Sequence, residues 1–264
     1  ILTFDSGRLS FQRHAVHRRP QCKVCGQPAA RAPRPITLTQ RLAGSLGTGR
    51  RSCPPGETLR RLEPLVSPIT GIVSRLHVET KNGSPFHLCS AAFSSAAAWR
   101  QQMSPRLRLS HSGGKGASEV EAKVSCLAEA VERYSVLHHG DEPFVRGSWS
   151  GFPHAAVHPA ALLQYSADQY AVREHWNRSH GPVNQVPLPF DETAEISWTA
   201  AWSLSEQRRV YLPSTFVHLN HRDGLGFCRS DSNGCAAGNN IEEAILQGFL
   251  ELVERDAAAI WWYN

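Results

Sequence analysis

The stretch QGFLELVERD, residues Gln247 to Asp256, carries two glutamates three positions apart inside a segment that is otherwise mostly apolar. The stretch SCLAEAVERY, residues Ser125 to Tyr134, repeats this arrangement roughly 120 residues earlier. In both stretches a polar residue stands four positions before the first glutamate, and the second glutamate follows three positions later. Two equivalent polar patterns predict two equivalent helices, around which the rest of the fold is arranged.

Positions i, i+4 and i+7 of an α-helix lie within about 60° of one another, so each pattern places its three polar residues on one face. These residues are Ser125, Glu129 and Glu132 in the first helix and Gln247, Glu251 and Glu254 in the second. For the first helix a solvated face is one interpretation, because an apolar stripe occupies the opposite side. The stripe consists of Val120, Val124, Leu127, Val131 and Tyr134.

The second helix does not fit a solvated surface, because apolar residues cover about half of its circumference and predict burial. These are Ile241, Ile245, Leu246, Phe249, Leu250, Leu252, Val253 and Ala257. Two carboxylates about 5 to 6 Å apart repel each other by roughly 3 kcal/mol at an effective dielectric of 20, and a bound cation removes this repulsion. Carboxylate oxygens suit Mg²⁺, which keeps waters and substrate phosphates in its shell. Two facing helices of this kind are therefore suited to hold a Mg-nucleotide.

The segments between these helices indicate a mixed α/β (α+β) fold, because strand and helix patterns interleave. PPGETLRRLEPLV (54–66) predicts a short helix begun by prolines, and HPAALLQYS (158–166) predicts another. ITGIVSRLHVET (69–80) and FHLCSAAFS (86–94) predict two paired strands, and EISWTAAWSL (195–204) with RRVYLPSTFVHL (208–219) predicts a hairpin.

Helix-start signals precede both carboxylate helices. HSGGKG (111–116) reads as a glycine-rich loop, after which Ser118 and Glu121 form a capping box. Asn240 and Glu243 repeat this cap-and-acid spacing before the second helix. Lys115 in the glycine-rich segment has two interpretations, a site residue that approaches a phosphate or part of a tight turn.

The bulk composition is that of a globular protein. The chain has 264 residues, of which 41% are hydrophobic, and a formal charge of +5 from 28 Lys and Arg against 23 Asp and Glu. That charge is too diffuse to indicate a nucleic-acid partner. No apolar run approaches the roughly 18 to 20 residues of a membrane span, and the N-terminus lacks signal-peptide features. We therefore expect a soluble, cytoplasmic protein that binds neither nucleic acid nor membrane.

Both ends of the sequence suggest a piece of a longer chain, because it begins at Ile1 and because WWYN follows directly on an apolar helical run. The segment RRPQCKVCGQPAARAPRP (18–35) is rich in Pro, Arg and Gly and predicts a linker. We expect residues 1–35 to be the tail of a preceding domain and residues 36–264 to be the first part of a second domain.

The seven cysteines form an odd set without framework spacing, which favours a reducing compartment over a disulfide scaffold. Cys22 and Cys25 have the CxxC spacing of half a tetrahedral zinc site. A structural zinc, a pair of free thiols and redox chemistry all remain open for this pair.

SCLAEAVERY, SNGCAAGNN and LQGFLELVERDAAAIWW together resemble the YcaO-domain family, whose ATP-binding pattern is a serine, then ExxER on one helix, then QxxxExxER on another. SPITGIVS (67–74) and CKVCG are similar more specifically to the azoline-forming cyclodehydratases of ribosomal peptide biosynthesis. The resemblance covers about residues 50 to 264. It implies the N-terminal half of a YcaO-type fold, with β-sheets flanked by the two carboxylate helices.

The resemblance also implies a set of site residues. Mg²⁺ ions bridging the phosphates of ATP would be held by Glu129, Glu132, Glu251 and Glu254. ATP itself would be contacted by Ser125, Asn239, Gln247 and Arg255. RSCPPGET resembles the first ATP-contacting element of the family, represented here by Arg51 and Thr58, although a plain helix cap is an equal interpretation of Thr58. The Cys22 and Cys25 pair would belong to an upstream domain similar to ubiquitin-activating proteins.

By this resemblance the parent protein is an ATP- and Mg²⁺-dependent cyclodehydratase that makes thiazoline or oxazoline from Cys, Ser or Thr in a ribosomal precursor peptide of the bacteriocin type. The implied partners are the precursor peptide with its leader, a second copy in a homodimer, and a leader-binding or dehydrogenase protein. A thioamide-forming or sulfur-inserting relative and an inactive, peptide-binding homologue remain alternatives. By the resemblance, the nucleotide site is completed by an arginine and a glutamate of an RxxxE element from beyond residue 264, so we expect the piece alone to be inactive.

Two further groups of residues, histidines and tryptophans, have structural interpretations. His138 and His139, at the end of the first helix, are interpreted as surface residues that compensate the helix dipole. Four tryptophans are interpreted as packing in the core or in a subunit interface: Trp198, Trp202, Trp261 and Trp262.

Overall fold

A computed structural model of the chain describes residues 1–16, 18, 24–26, 34–40, 44–46, 49–79, 84–94, 109–151, 155–181, 184–221 and 225–263. The chain divides into two compact units. The first comprises Ile1–Gly26, Leu38–Val136 and Ser232–Asn264, and the second comprises Gln27–Thr37 and Leu137–Asp231. This grouping does not follow the boundary predicted at residue 35, and that boundary stays a prediction. Both carboxylate helices belong to the first unit.

The first unit begins with two antiparallel pairs of short strands. Strand β1 (Leu2–Asp5) pairs with β2 (Ser10–Arg13), and β3 (Gly44–Leu46) pairs with β4 (Gly49–Arg51). Helix α1 (Pro55–Leu62) follows and has a proline in its first turn, as predicted. A proline is favourable there because the first N–H groups of a helix have no intrahelical acceptor.

The main sheet of the first unit has the strand order β5 (Val73–Glu79), β6 (His87–Ser94) and β7 (Leu109–Gly116), all antiparallel. The predicted pairing of the first two strands is confirmed. The prediction that HSGGKG forms a loop is wrong, because each of its residues lies opposite a residue of β6. Glycine in this segment therefore serves close packing within a strand rather than a turn.

Helix α2 (Glu119–Val136) packs on this sheet and carries the first carboxylate pair. Its predicted capping box is confirmed, because the Ser118 N–H donates to Glu121 (3.1 Å) and the Glu121 N–H donates to the Ser118 hydroxyl (3.3 Å). The predicted apolar stripe is only partly correct, since Val120 is exposed. The residues that α2 buries are mostly small and let the helix approach the glycine strand closely: Ala122, Cys126, Leu127 and Ala130.

The second unit contains the antiparallel sheet β8 (Val145–Gly147), β9 (Ile196–Ser203) and β10 (Arg208–Pro213), in the order β10-β9-β8. The predicted hairpin of β9 and β10 is confirmed, although its second strand ends at Pro213. The core of this unit includes Ile196, Trp198, Phe227 and Cys228. Its helices are α3 (Pro159–Leu163), which confirms the helix predicted there, α4 (Ala167–Ala171), α5 (Arg173–Ser179) and α6 (Ser214–Val217).

The prediction that both histidines after α2 lie on the surface is wrong. His139 is buried at 5% exposure. The ring of His138 contacts the ring of His221 edge to face, with centroids 4.5 Å apart. Both histidines thus belong to the packed interior of the second unit.

Helix α7 (Ile241–Tyr263) carries the second carboxylate pair and is begun by Asn240, whose side chain accepts a hydrogen bond from the Glu243 N–H (2.9 Å). The prediction that its apolar face is buried is wrong for the part of the chain that is described. Only Gly248 is buried, whereas Phe249 is 60% exposed and Leu250 is 48% exposed. Trp261 and Trp262 are also exposed, unlike the buried Trp198. None of the described helices is both long and apolar enough to span a bilayer.

Candidate functional site

A cavity of about 790 Å³ in the first unit is bordered by all ten residues predicted to bind ATP and Mg²⁺. We call it the main cavity. Its lining includes Arg51, Thr58, Ser125, Asn239, Gln247 and Arg255, together with Glu129, Glu132, Glu251 and Glu254. The structure thus brings these side chains together from α1, α2, α7 and the segments before them. That they contact ATP or Mg²⁺ stays a prediction.

The α2 side of the main cavity presents two carboxylates and one guanidinium. Glu129 accepts a hydrogen bond from the N–H of Gly113 (3.2 Å), which attaches its carboxylate to strand β7. Arg133 lies 3.6 Å from an oxygen of Glu129 and 3.6 Å from an oxygen of Glu132. One arginine therefore neutralises only part of the charge of the pair.

Glu132 is the carboxyl group whose protonation is most affected by the fold. Burial raises its pKa to about 7, the neighbouring Arg133 opposes that shift, and the negative charges of Glu251 and Glu129 add to it. Glu132 lies on α2 and Glu251 on α7, so the two helices bring their carboxylates close enough to repel each other. A proton or a cation at this position would relieve the repulsion.

The stability of the metal-free protein should therefore fall as pH rises. Between about pH 4.5 and about pH 7 the folded protein keeps a proton on Glu132 that the unfolded chain has released, so a lower pH favours folding. We expect the free energy of unfolding of the full-length protein to drop by up to about 3 kcal/mol across this range. Urea unfolding in a chelator at several pH values measures the drop.

In the variant Glu132→Gln this part of the pH dependence should disappear, whereas it should persist in Glu206→Gln, which alters an exposed glutamate of the second unit. Identical pH profiles for Glu132→Gln and the wild type would contradict the assignment of the shifted pKa to Glu132.

The α7 side of the main cavity fixes Glu251 through two contacts. Its carboxylate accepts a hydrogen bond from the N–H of Gly234 (3.0 Å) and another from Arg255 (3.2 Å). Gly234 has a φ of +78°, a conformation that glycine adopts without the steric cost of a side chain. A Cβ on Gly248 would lie 2.4 Å from the Gly234 carbonyl oxygen, so α7 and this loop are in close contact.

Thr58 and Asn239 close another side of the main cavity. The Thr58 hydroxyl donates to the Asn239 side-chain oxygen (2.8 Å) across 181 positions of sequence. The residue that caps α1 is Pro54, which makes no side-chain capping bond. The interpretation of Thr58 as a plain helix cap is therefore wrong, and its hydroxyl borders the cavity instead.

Glu243 also lines the main cavity, and the sequence assigned it only to a helix start. Burial alone would raise its pKa, but hydrogen bonds from Ser52 and Asn239 lower it to about 2. Its carboxylate accepts from both the N–H and the side-chain amide of Asn239 (3.0 Å each) and from the Ser52 N–H. Glu243 thus holds Asn239 in place. The contact with Ser52 spans 191 positions and has no signal in the sequence.

The remaining metal prediction concerns Cys22 and Cys25. Cys22 lies outside the described residues, and Cys25 is exposed. Within the described ranges no three or more His, Cys, Asp or Glu side chains lie close enough together to hold one metal ion, and this includes the four glutamates of the main cavity. Zinc at this pair has no support from the structure and stays a prediction.

Comparison with known proteins identifies the family. The profile of YcaO cyclodehydratase, ATP- and Mg²⁺-binding, matches residues 113–264. The chain belongs to the YcaO family, and the resemblance predicted from its motifs is confirmed.

Solved structures confirm the mixed α/β, YcaO-type fold. A heterocyclase in complex with substrate and cofactor is 38% identical, with a TM-score of 0.83 over 99% of this chain and 35% of that chain. The heterocyclase TruD is 32% identical, with a TM-score of 0.67 over 99% of this chain and 31% of that chain. YcaO from Methanopyrus kandleri bound with AMPPCP and Mg²⁺ is 22% identical, with a TM-score of 0.55 over 81% of this chain and 46% of that chain. The chain thus spans about a third of the length of the two heterocyclases.

Proposed function

We propose that this chain supplies an ATP- and Mg²⁺-binding site to a peptide cyclodehydratase, which converts Cys, and also Ser or Thr, of a ribosomally made precursor peptide into thiazoline or oxazoline. The observation that carries the proposal is the main cavity, where two carboxylate helices meet hydroxyl, amide and guanidinium groups. The family description and the similarity to the heterocyclase solved with substrate and cofactor also support the proposal.

The donor set of the main cavity fits Mg²⁺ better than a softer metal. Glu129, Glu132, Glu251 and Glu254 offer only carboxylate oxygens, which are the ligands that Mg²⁺ prefers. The raised pKa of Glu132 reports burial and repulsion that a bound cation would relieve. When bound, the ion would neutralise the phosphate charge that the glutamates alone would repel.

The other residues of the cavity are assigned to the nucleotide. Arg51 and Arg255 supply positive charge for phosphate oxygens, and a guanidinium suits phosphate because it can donate two parallel hydrogen bonds. Asn239 offers an amide that Glu243 holds in position, and Thr58 offers a hydroxyl that donates to Asn239. The exposed hydroxyl of Ser125 lies one helical turn before Glu129 on the same face.

In the proposed reaction the thiol or hydroxyl of the peptide attacks the preceding amide carbonyl, and the resulting oxygen takes the γ-phosphoryl group of ATP. The attack closes the five-membered ring. Phosphate then leaves with that oxygen, the ring nitrogen gives up its proton, and a C=N bond forms within the ring. The glutamates are assigned to positioning the metal and the phosphates and not to nucleophilic attack. This chain therefore contributes the placement of ATP and the neutralisation of its phosphate charge.

The test is a reaction of the full-length protein with ATP, Mg²⁺ and a synthetic pool of peptides that each contain one cysteine. We expect phosphate release that depends on the peptide, together with a product lighter than its peptide by one water. A thioamide product would instead exchange oxygen for sulfur and gain mass, which separates that alternative. Phosphate release without any product lighter by one water would contradict the cyclodehydratase proposal.

A further inference from the structure

A second cavity, of about 570 Å³, adjoins the main cavity in the first unit and shares Lys115, Ser125 and Glu129 with it. We call it the side cavity. Its remaining lining comes mostly from the sheet, including Leu88 and Ser90 of β6 and Gly113 of β7. No residue of the side cavity apart from the shared Ser125 and Glu129 has a role in the nucleotide site proposed above.

The pleat of the sheet determines which side chains face the side cavity. Ser112 and Gly114 point toward α2, because the Ser112 hydroxyl donates to the Cys126 carbonyl (3.1 Å) and a Cβ on Gly114 would collide with α2. Neighbouring residues of a strand point to opposite faces, so Gly113 and Lys115 face away from α2. Their cross-strand partners are Ser90 and Leu88, and all four residues are exposed.

The backbone is bare where Gly113 borders the side cavity. A Cβ added at Gly113 would meet nothing within 4 Å, so the space above this residue is open. Glycine in a strand marks a place where another backbone can approach closely. Cys89 borders the same space, but burial is the main factor that raises its pKa to about 12, so it supplies no reactive thiolate.

Lys115 is a cation at the junction of the two cavities. Its ammonium makes no hydrogen bond or ion pair with the described residues, and its side chain is exposed. Lys123 on α2 shows the contrasting case, because it is paired with Glu119. At the same junction the Glu129 carboxylate is held by the Gly113 N–H, so negative and positive groups lie on either side of the β7 backbone.

We propose that the side cavity holds the peptide segment that is being cyclised, and that Lys115 contacts the carbonyl oxygen that receives the phosphoryl group. This inference rests on the proposed function. The oxygen must lie between the peptide carbon and the γ-phosphorus of ATP, so it must occupy the junction of the peptide and nucleotide sites. Lys115 is the cationic residue that lines both cavities.

A lysine suits this step because negative charge develops on the carbonyl oxygen of the peptide during cyclisation. When the thiol sulfur bonds to the carbonyl carbon, the thiol proton passes to solvent water and the carbonyl electron pair moves to oxygen as a negative charge. The oxygen then bonds to the γ-phosphorus while the bond from that phosphorus to the bridging oxygen breaks and ADP leaves. An ammonium group beside the oxygen stabilises the charge before phosphorus accepts it.

Two substitutions in the full-length protein test the inference. Lys115→Gln should lower kcat and kcat/KM for the cysteine peptide pool by about 100-fold each, because the lost contact forms only as the oxygen becomes charged. Gly113→Val places a branched side chain in the open space of the side cavity, where a Cβ would meet nothing within 4 Å, and should raise the peptide KM by about 10-fold or more. Both variants should bind MgATP within about two-fold of the wild type, which calorimetry measures.

Matched controls separate these effects from general damage. Lys123→Gln removes a paired lysine outside both cavities, and Gly181→Val adds a side chain where nothing described lies within 4 Å. Both should retain wild-type peptide kinetics. Wild-type kinetics in Lys115→Gln and Gly113→Val, or a parallel loss of MgATP affinity in Gly113→Val, would overturn the inference and leave the proposed function standing. A wild-type protein that converts no peptide of the pool would instead overturn the proposed function.

Discussion

Replacing Glu251 by glutamine should weaken the binding of MgATP to the full-length protein by about 100-fold or more, which corresponds to about 2.7 kcal/mol. Glutamine keeps the size of the side chain and an oxygen that can still accept the hydrogen bond from Gly234. The substitution therefore removes mainly a negative charge. It should also release part of the repulsion on Glu132, whose pKa Glu251 raises.

Calorimetric titration with ATP in the presence and absence of Mg²⁺ measures this effect. Glu206→Gln is the matched control, because it removes an exposed glutamate of the second unit that is paired with Arg208. In the wild type we expect binding only with the divalent cation. Binding of ATP that is equally tight without Mg²⁺, or unchanged in Glu251→Gln, would show that the carboxylates of the main cavity do not hold a metal.

The local part of this architecture could be predicted from the sequence because its determinants lie within one or two helical turns. The shared face of Ser125, Glu129 and Glu132 follows from helical periodicity alone. The capping box at Ser118 and Glu121 likewise depends on a spacing of three residues, and the structure contains both of its hydrogen bonds. The hairpin of β9 and β10 follows from two alternating segments around a short polar turn.

Contacts between distant segments could not be predicted in this way. Glu243 lies in the first turn of α7, where acidic residues are common in proteins. Only folding brings the Ser52 N–H to its carboxylate. The apolar face of α7 predicted burial, yet periodicity reports only that a face is apolar and not which segment covers it. Residues such as Phe249 remain exposed in the part of the chain that is described.

The glycines of β7 illustrate the same difficulty, because glycine favours turns in general and close packing only in a particular tertiary context. Gly114 belongs to β7 and faces α2. Glycine is required at this position because the helix packs directly on it. A methyl group added at Gly114 would have no space, whereas a methyl group added at the neighbouring Gly113 would meet nothing within 4 Å.

Gly114→Ala should therefore destabilise the full-length protein by about 3 kcal/mol or more. Its Cβ would lie 2.3 Å from the Ala122 carbonyl oxygen and 2.3 Å from the Cys126 nitrogen. Both are backbone atoms of α2, so no change of side-chain rotamer relieves the contact, and the helix must move away from β7. That movement would also separate Glu129 from the Gly113 N–H and displace the α2 side of the main cavity.

Urea unfolding of Gly114→Ala, with Gly113→Ala as the adjacent control, decides whether packing on α2 accounts for the glycine. The control should unfold within about 0.5 kcal/mol of the wild type, apart from the general preference of strands for residues other than glycine. Gly114→Ala should unfold at a lower urea concentration and bind MgATP more weakly, since the geometry of Glu129 depends on the same contact. Equal stability of the two variants would mean that α2 does not pack on β7 as closely as the structure describes, and that the position of Glu129 relies on other contacts.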